Sequence, residues 1–278
     1  MQTSTRLKWV TTFFVMLCAA GSANAGVLRV CADPHNLPFS NDRGEGFENR
    51  IAALLAGKMG ATLEYTWSQQ RQSYARKTIN TGRCDIWPGV AAGMNDILTS
   101  QPYYTSTYVF VTRSDRHLNI HSLDDPRLHN LAIAVQMIGD DDTNTPPAHA
   151  LARRGIISNV QGYMLYGSFN RPATRHGIID RVAAGDVDVA LVWGPIAGFY
   201  AALEPVPLTL TPVQPAEDSG ARMTFSISIG VRRGNVELKD SINKALEQNR
   251  PAIRDILAGY HVPLISDADT SPVLAQSP

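Results

Sequence analysis

The sequence predicts an α/β protein built as two lobes with a cleft between them. Three observations carry this expectation. Two stretches repeat the same alternation of β and α segments, an order that buries both faces of a parallel sheet. Two long extended runs follow those stretches and can carry the chain from one lobe to the other. The length of 278 residues accommodates one or two domains, each able to bury a core. With 25 basic against 25 acidic side chains the chain lacks the clustered basic surplus that phosphate recognition needs, so nucleic acid is excluded as a partner.

Residues 1–25 read as a secretory signal peptide. Arg6 and Lys8 precede the apolar run Trp9 to Ala20, and Ala23-Asn24-Ala25 offers small residues for cleavage. That run is too short to span ~30 Å of hydrocarbon as a helix, so no membrane anchor is expected. Cys18 follows Val15-Met16-Leu17, which lacks the small residues expected before a lipidated cysteine. The mature chain then starts at Gly26 with 23 positive and 25 negative groups, a net charge of −2. Export would place it in an oxidising compartment.

The first β/α unit opens with the strand Val27 to Ala32. Gly46-Phe47 starts a helix whose apolar Ile51, Leu54, Leu55 and Met59 share one face. Thr62 to Trp67 is a strand, Gln72 to Asn80 a helix closed by Gly82, and Asp85 to Val90 a strand. The second unit follows the polar segment Arg113 to Asn130. Leu131 to Val135 is a strand, and Pro146-Pro147 starts a helix at a position where a missing N–H does no harm. Then come Val160 to Tyr166 (strand), Thr174 to Ala184 (helix), Val187 to Trp193 (strand), Ile196 to Leu203 (helix) and Val206 to Pro212 (strand).

Tyr103 to Val111 and Phe225 to Val231 are the extended runs expected to cross between lobes. Asn235 to Gln248 is a helix, and the C-terminal helices return to the first lobe. The organisation expected is lobe 1 from 26–110 and 229–265, lobe 2 from 111–228, and a flexible tail at 266–278. Ligands of open α/β sheets bind beyond the carboxyl ends of strands, and here those ends face the cleft.

The mature chain keeps two cysteines, Cys31 and Cys84. In an oxidising compartment they read as a disulfide, against the alternative of two buried thiols. No zinc pattern is present. Asp140, Asp142 and Asn144 have the alternating spacing of a calcium loop, but Thr145 replaces the glycine and Leu151 the glutamate that an EF-hand requires. Carboxylates ahead of the Pro146 helix serve equally as charge at its N-terminus, or as a polar contact to a partner. His117 and His121 lack a third ligand in register and read as a surface pair. No nucleophile elbow, phosphate loop or dinucleotide fingerprint appears, so neither a metal nor a cofactor is expected.

Several segments carry a resemblance. Asp33 followed by Leu37-Pro38-Phe39, Gly46-Phe47, Gly82-Arg83-Cys84-Asp85-Ile86 and Gln101-Pro102-Tyr103-Tyr104, in that order, resemble family-3 periplasmic solute-binding proteins. The implied fold is the type II periplasmic binding protein, two α/β lobes joined by two crossover strands. A narrower group is similar through Leu28-Arg29-Val30-Cys31-Ala32-Asp33, Ser122-Leu123-Asp124-Asp125-Pro126-Arg127-Leu128, Ala152-Arg153-Arg154-Gly155-Ile156, Val192-Trp193-Gly194-Pro195-Ile196-Ala197-Gly198 and His261-Val262-Pro263-Leu264. This is the quinoprotein-dehydrogenase-associated binding-protein-like family, the J proteins of methanol oxidation systems. It implies a non-enzymatic accessory role toward a PQQ-dependent methanol or alcohol dehydrogenase, with that enzyme and its c-type cytochrome as partners.

Amino-acid receptors of the broader family clamp the ligand carboxylate with an arginine about nine residues before the Pro-Tyr pair. Here that count reaches Gly93, and Ala91 to Gln101 contains neither Arg nor Lys. Guanidinium is the group that grips carboxylate bidentately, so its loss argues against an amino-acid ligand. Trp193 stands where an aspartate usually holds the ligand amine. The cleft residues expected to meet a ligand or partner are Asp33, Asn36, Phe39, Trp87, Tyr104, Gln136, Asp140 and Trp193. For Trp87 and Trp193 the competing role is packing within a core; for Asp33 and Asn36 it is capping a turn. The competing functions are an ABC-transport receptor for a small non-amino-acid ligand, and a dehydratase or lyase on the same fold; a small molecule or peptide is the alternative cleft ligand.

Overall fold

The computed structural model describes residues 26–70, 73–137, 144–164 and 177–265. The expected signal peptide, the expected tail and Asp140 to Asp142 lie outside these residues, so nothing is said of their structure.

The first unit runs β1 (Val27–Ala32), β2 (His35–Asn36), β3 (Ser40–Asn41), α1 (Phe47–Lys58), β4 (Thr62–Trp67), α2 (Tyr74–Lys77) and β5 (Ile86–Ala91). A two-residue strand β6 (Leu98–Thr99) precedes the long β7 (Tyr104–Arg113). The second unit runs β8 (Ile133–Met137), α3 (Pro146–Arg153), β9 (Val160–Met164), α4 (Gly177–Ala184), β10 (Val189–Trp193), α5 (Gly194–Ala201) and β11 (Leu208–Pro212). A short hairpin, β12 (Glu217–Asp218) and β13 (Ala221–Arg222), leads into β14 (Thr224–Val231), and α6 (Val236–Gln248) and α7 (Arg250–Gly259) follow.

The main sheet has the order β4-β1-β5-β14-β7-β10-β8-β9. β1 lies parallel between β4 and β5, and β8 lies parallel between β10 and β9. β7 and β14 join these two parallel sets and run antiparallel to each other, with Tyr104 to Thr107 opposite Ile227 to Thr224. Beyond that overlap each strand enters one lobe. Tyr108 to Thr112 pairs with Trp193 to Val189 of β10, while Ile227 to Val231 pairs with β5. β11 covers the other edge of β7. Hydroxyls line the crossing: Thr105 Oγ1 and Ser226 Oγ lie 3.0 Å apart, and Thr224 Oγ1 donates to Thr107 Oγ1 at 2.9 Å.

Alternation along the strands sets the cores. In the second lobe Phe110, Leu191, Ile133 and Val135 pack on one face of the sheet, and Val109, Val111, Ala190 and Val192 on the other. Both faces are buried, which is why these strands read as continuous apolar runs. Phe47, Ile51 and Leu55 of α1 share one core with Ile253 and Leu257 of α7.

Cys31 and Cys84 form a disulfide between β1 and the residues just before β5, with Cα atoms 5.4 Å apart. Beside it Arg29 grips Asp85 through Nε (3.1 Å) and Nη2 (2.8 Å). In the second lobe the Asp218 carboxylate accepts from both Arg153 and Arg154, and Arg154 Nε also reaches Asp124 at 2.8 Å. These guanidiniums hold Asp218 down at about 2, well below the usual carboxylate range. They pin the β12–β13 hairpin to α3.

The structure departs from the sequence reading in three places. The helix expected from Gln72 to Asn80 is α2 plus a separate 3₁₀ turn, Ile79–Thr81; residues 71–72 lie outside the described set. The break falls at Thr78, whose backbone leaves the helical region and whose Oγ1 donates to the Tyr74 carbonyl at 2.6 Å. Gly82, at φ +74°, ends the turn as expected. The paired segments β2–β3 and β12–β13 were not expected, since two residues give no alternation to read.

Residues 260–265 form the third departure, an additional tie between the lobes. Phe199 of α5 stacks on Tyr260 at 5.7 Å, and Tyr260 Oη donates to the Glu45 carbonyl. Ser106 Oγ donates to Pro263 O at 2.6 Å and Ile265 N to Thr105 O at 3.0 Å. A Cβ on Gly198 would lie 1.9 Å from His261 O, so only glycine lets α5 seat this segment.

The disulfide closes a loop of 53 residues. Loop-closure entropy alone predicts about 4 kcal/mol of stabilisation. Adding a thiol reductant, or replacing Cys84 with Ser, should therefore lower the urea midpoint substantially; an unchanged midpoint would refute a structural role for the bond.

Candidate functional site

The cleft encloses a cavity of about 240 Å³. The first lobe contributes Asn36, Phe39, Glu48, Gln70, Pro88, Gly89 and Ala91; the crossing strands contribute Tyr104, Tyr108, Phe225 and Ile227; the second lobe contributes Gln136, Trp193 and Ile196. Among the described residues its walls carry five aromatic rings and a single ionisable acid, Glu48, with no Lys, Arg or His.

The residues just before α1 build the first wall. Phe47 N donates to Pro38 O and Glu48 N to Phe39 O, both at 2.9 Å, so the 37–39 loop satisfies the exposed N–H groups of the helix start. Asn49 Oδ1 accepts from Asn41 N and Gly46 N and holds the loop against the helix. A Cβ on Gly46 would lie 2.0 Å from Phe39 O, so glycine is required there. Phe39 thereby sits 5.2 Å from the Phe47 ring and packs against cores of both lobes.

The opposite wall stands on the carboxyl end of β10. Gln136, buried at the end of β8, accepts from Trp193 N through Oε1 at 2.9 Å. The Trp193 indole lies 5.3 Å from Tyr108 and 5.8 Å from Phe225, edge to face in both cases. Such contacts fix the ring's plane while one surface faces the cavity.

Glu48 forms the floor. It is 6% exposed, and among the described residues no hydrogen-bond donor or ion-pair partner reaches its carboxylate. Gly89, at φ +80°, makes room for it: a Cβ there would lie 2.2 Å from Glu48 Oε1. Burial without a partner pushes the Glu48 carboxyl up to about 8. Tyr103 and Tyr104 are raised by the same burial and by the nearby acid.

Of the residues expected from the sequence, Asn36, Phe39, Tyr104, Gln136 and Trp193 come together on this cavity. Asp33 does not line it; the carboxylate accepts from His35 N and Gln70 N, both at 2.9 Å, and so caps the turn that presents Gln70. Trp87 does not line it either. Its ring lies 4.8 Å from Tyr74 in the small core around the disulfide, with Nε1 buried and unpaired. Asp140 lies outside the described residues. Glu48, Tyr108 and Phe225 were not anticipated. An acid in the first turn of a helix reads as ordinary dipole compensation, and nothing in the sequence shows that Gly89 folds over it.

Among the described residues no group of three His, Cys, Asp or Glu side chains could hold a metal, and no helix is long and apolar enough to cross a membrane. Residues 28–256 match the bacterial extracellular solute-binding proteins, family 3. The chain belongs to this family. Protein MoxJ of Methylorubrum extorquens strain AM1 is 34% identical over 259 residues, covering 88% of this chain and 84% of that relative. The crystal structure of MxaJ from Methlophaga aminisulfidivorans MPT is similar with a TM-score of 0.74 and 29% identity, covering 86% of this chain and all of the other. The periplasmic binding protein XoxJ from Methylobacterium extorquens AM1 is similar with a TM-score of 0.71 and 33% identity, covering 87% and 100%.

The solute-binding protein thus has the type II periplasmic binding fold and is similar to MoxJ, MxaJ and XoxJ. Its Glu48 makes stability pH-dependent. Between the ordinary value near 4.5 and about 8 the folded protein keeps a proton that the unfolded chain has released. Stability must then fall as pH rises through that window, by at most about 1.4 kcal/mol per unit. Glu48→Gln should match the wild type at pH 4 and exceed it by a few kcal/mol at pH 8.5 in urea unfolding. Parallel pH profiles for the two proteins would contradict a buried, unpaired acid.

Proposed function

We propose that this protein is a periplasmic, non-catalytic accessory factor whose cleft docks on a segment of a PQQ-dependent methanol or alcohol dehydrogenase and assists its maturation or activation. The observation that carries the reading is the cleft lining. A free amino acid brings a carboxylate that needs a cation, and among the described residues the cavity wall offers none. Phe39, Tyr104, Tyr108, Trp193 and Phe225 instead offer rigid aromatic faces from both lobes and from the crossing strands, the residue types that dominate protein recognition. The similarity to MoxJ and XoxJ supports the class of partner. The N-terminal signal, the disulfide and membership of an extracellular family support the compartment.

A binding factor of this kind changes an enzyme only if it binds two of its states unequally. The test is a strain lacking the gene. Specific activity of the dehydrogenase should fall several-fold while its polypeptide level holds, and periplasmic crosslinking of the restored protein should capture the enzyme through cleft positions. Full activity in the deletion strain together with no captured complex would refute the reading.

A further inference from the structure

The cleft floor carries an unsatisfied chemistry that the aromatic lining does not explain. Two acceptors on the cavity lack a donor among the described residues: the carboxylate of Glu48, a residue 6% exposed, and Asn36 Oδ1, which is fully buried. Leaving buried acceptors unpaired is costly unless something else supplies the donors. Gly89 gives up a side chain so that the carboxylate fits. Around the acid stand aromatic rings, whose negative faces attract cations. A divalent metal would want about six oxygen ligands, far more than one carboxylate and one amide supply.

We infer that the cleft binds an alkylammonium group, seated on Glu48 and Asn36 and walled by Tyr104, Tyr108 and Trp193. An ammonium brings three N–H donors, enough for both oxygens of the carboxylate and for Asn36 Oδ1. The group comes either from a free amine or from a lysine side chain on a docked protein segment. The inference rests on the cleft being the binding site, as proposed above, but not on which partner uses it.

Occupancy carries a proton signature. The empty cleft holds Glu48 protonated at neutral pH, and the cation requires it ionised. Binding therefore expels the Glu48 proton to solvent, and no other bond changes. The groups facing Glu48 are the phenols of Tyr65, Tyr74, Tyr103 and Tyr104, all raised above their ordinary range, so none of them ionises in the window where the acid does. Asp33, whose charge acts on Tyr74, is committed to two backbone N–H groups.

The experiment is calorimetric titration of the mature chain with n-butylammonium, with neutral n-butanol, and with a short peptide carrying one lysine or norleucine at the same position. Butylammonium should bind and butanol should not. Affinity should rise roughly 90-fold from pH 6 to pH 9 and level off, with about one proton released per site at pH 6.5, as read from buffers of different ionisation enthalpy. Glu48→Gln, checked for folding by circular dichroism, should lose both the binding and the proton release. Tight binding of the free amine identifies a small-molecule source; binding of the lysine peptide alone identifies a protein segment. Equal binding of butanol, pH-independent affinity in the wild type, or no binding of either cation overturns the inference. If the gene deletion impairs the dehydrogenase but neither cation binds, the cation site fails while the docking role stands; if the deletion leaves the enzyme fully active and butylammonium binds as described, the docking role alone is removed.

Discussion

Everything in this molecule depends on the antiparallel pairing of β7 with β14 over Tyr104 to Thr107 and Thr224 to Ile227. Neither strand belongs to one lobe. Each contributes its first half to that shared ladder and its second half to the sheet of a single lobe, so the two sheets are continuous through four residue pairs. Period-two geometry then decides what faces the cleft. Tyr104 and Tyr108 lie four apart, and Phe225 and Ile227 two apart, so each pair falls on one face of its strand, and all four line the cavity. Residues 260–265 clamp the same crossing from behind through Ser106 and Thr105.

The fold was largely legible because strand alternation and helix caps are local signals. Two fully buried faces produced the apolar runs at Leu131 to Val135 and Val187 to Trp193, and the Pro146-Pro147 start held. What was not local was misread or missed. The helix stops at Thr78, whose backbone leaves the helical region without a glycine or proline to mark it, and two-residue strands exist only because a partner lies opposite. The short segments behind the family resemblance turn out to be framework. Arg29 meets Asp85 and Cys31 meets Cys84, Arg154 meets Asp124 and Asp218, and Gly198 meets His261. Stretches far apart in sequence that look like separate signatures are the two halves of single contacts.

The site was legible only in part, for a physical reason. Aromatic and amide residues at strand ends, such as Trp193 and Gln136, can be placed near a cleft from topology alone. Whether a strand-borne indole faces a cavity or a core depends on its neighbours, and Trp87 and Trp193 divide on that question. Glu48 is the opposite case. Its importance comes from what does not reach it, and an absent donor leaves no mark in a sequence.

The cleft's electrostatics follow from one missing cation and one buried acid. Ala91 to Gln101 holds neither Arg nor Lys, and among the described residues no positive side chain lines the cavity to neutralise an acid. Glu48 stands there at a cost to stability that a glutamine would avoid. A buried, unpaired acid is a poor structural element and a good receptor for a cation, since the same desolvation that penalises its charge strengthens any attraction once the charge is matched. On the proposed reading this makes the cleft selective for exposed chain. A lysine packed or ion-paired within a finished enzyme has no reason to leave its place, whereas one on a segment not yet seated can reach between the lobes. A cleft of this kind would therefore favour the dehydrogenase before its last segment docks, which is the unequal affinity that assistance requires.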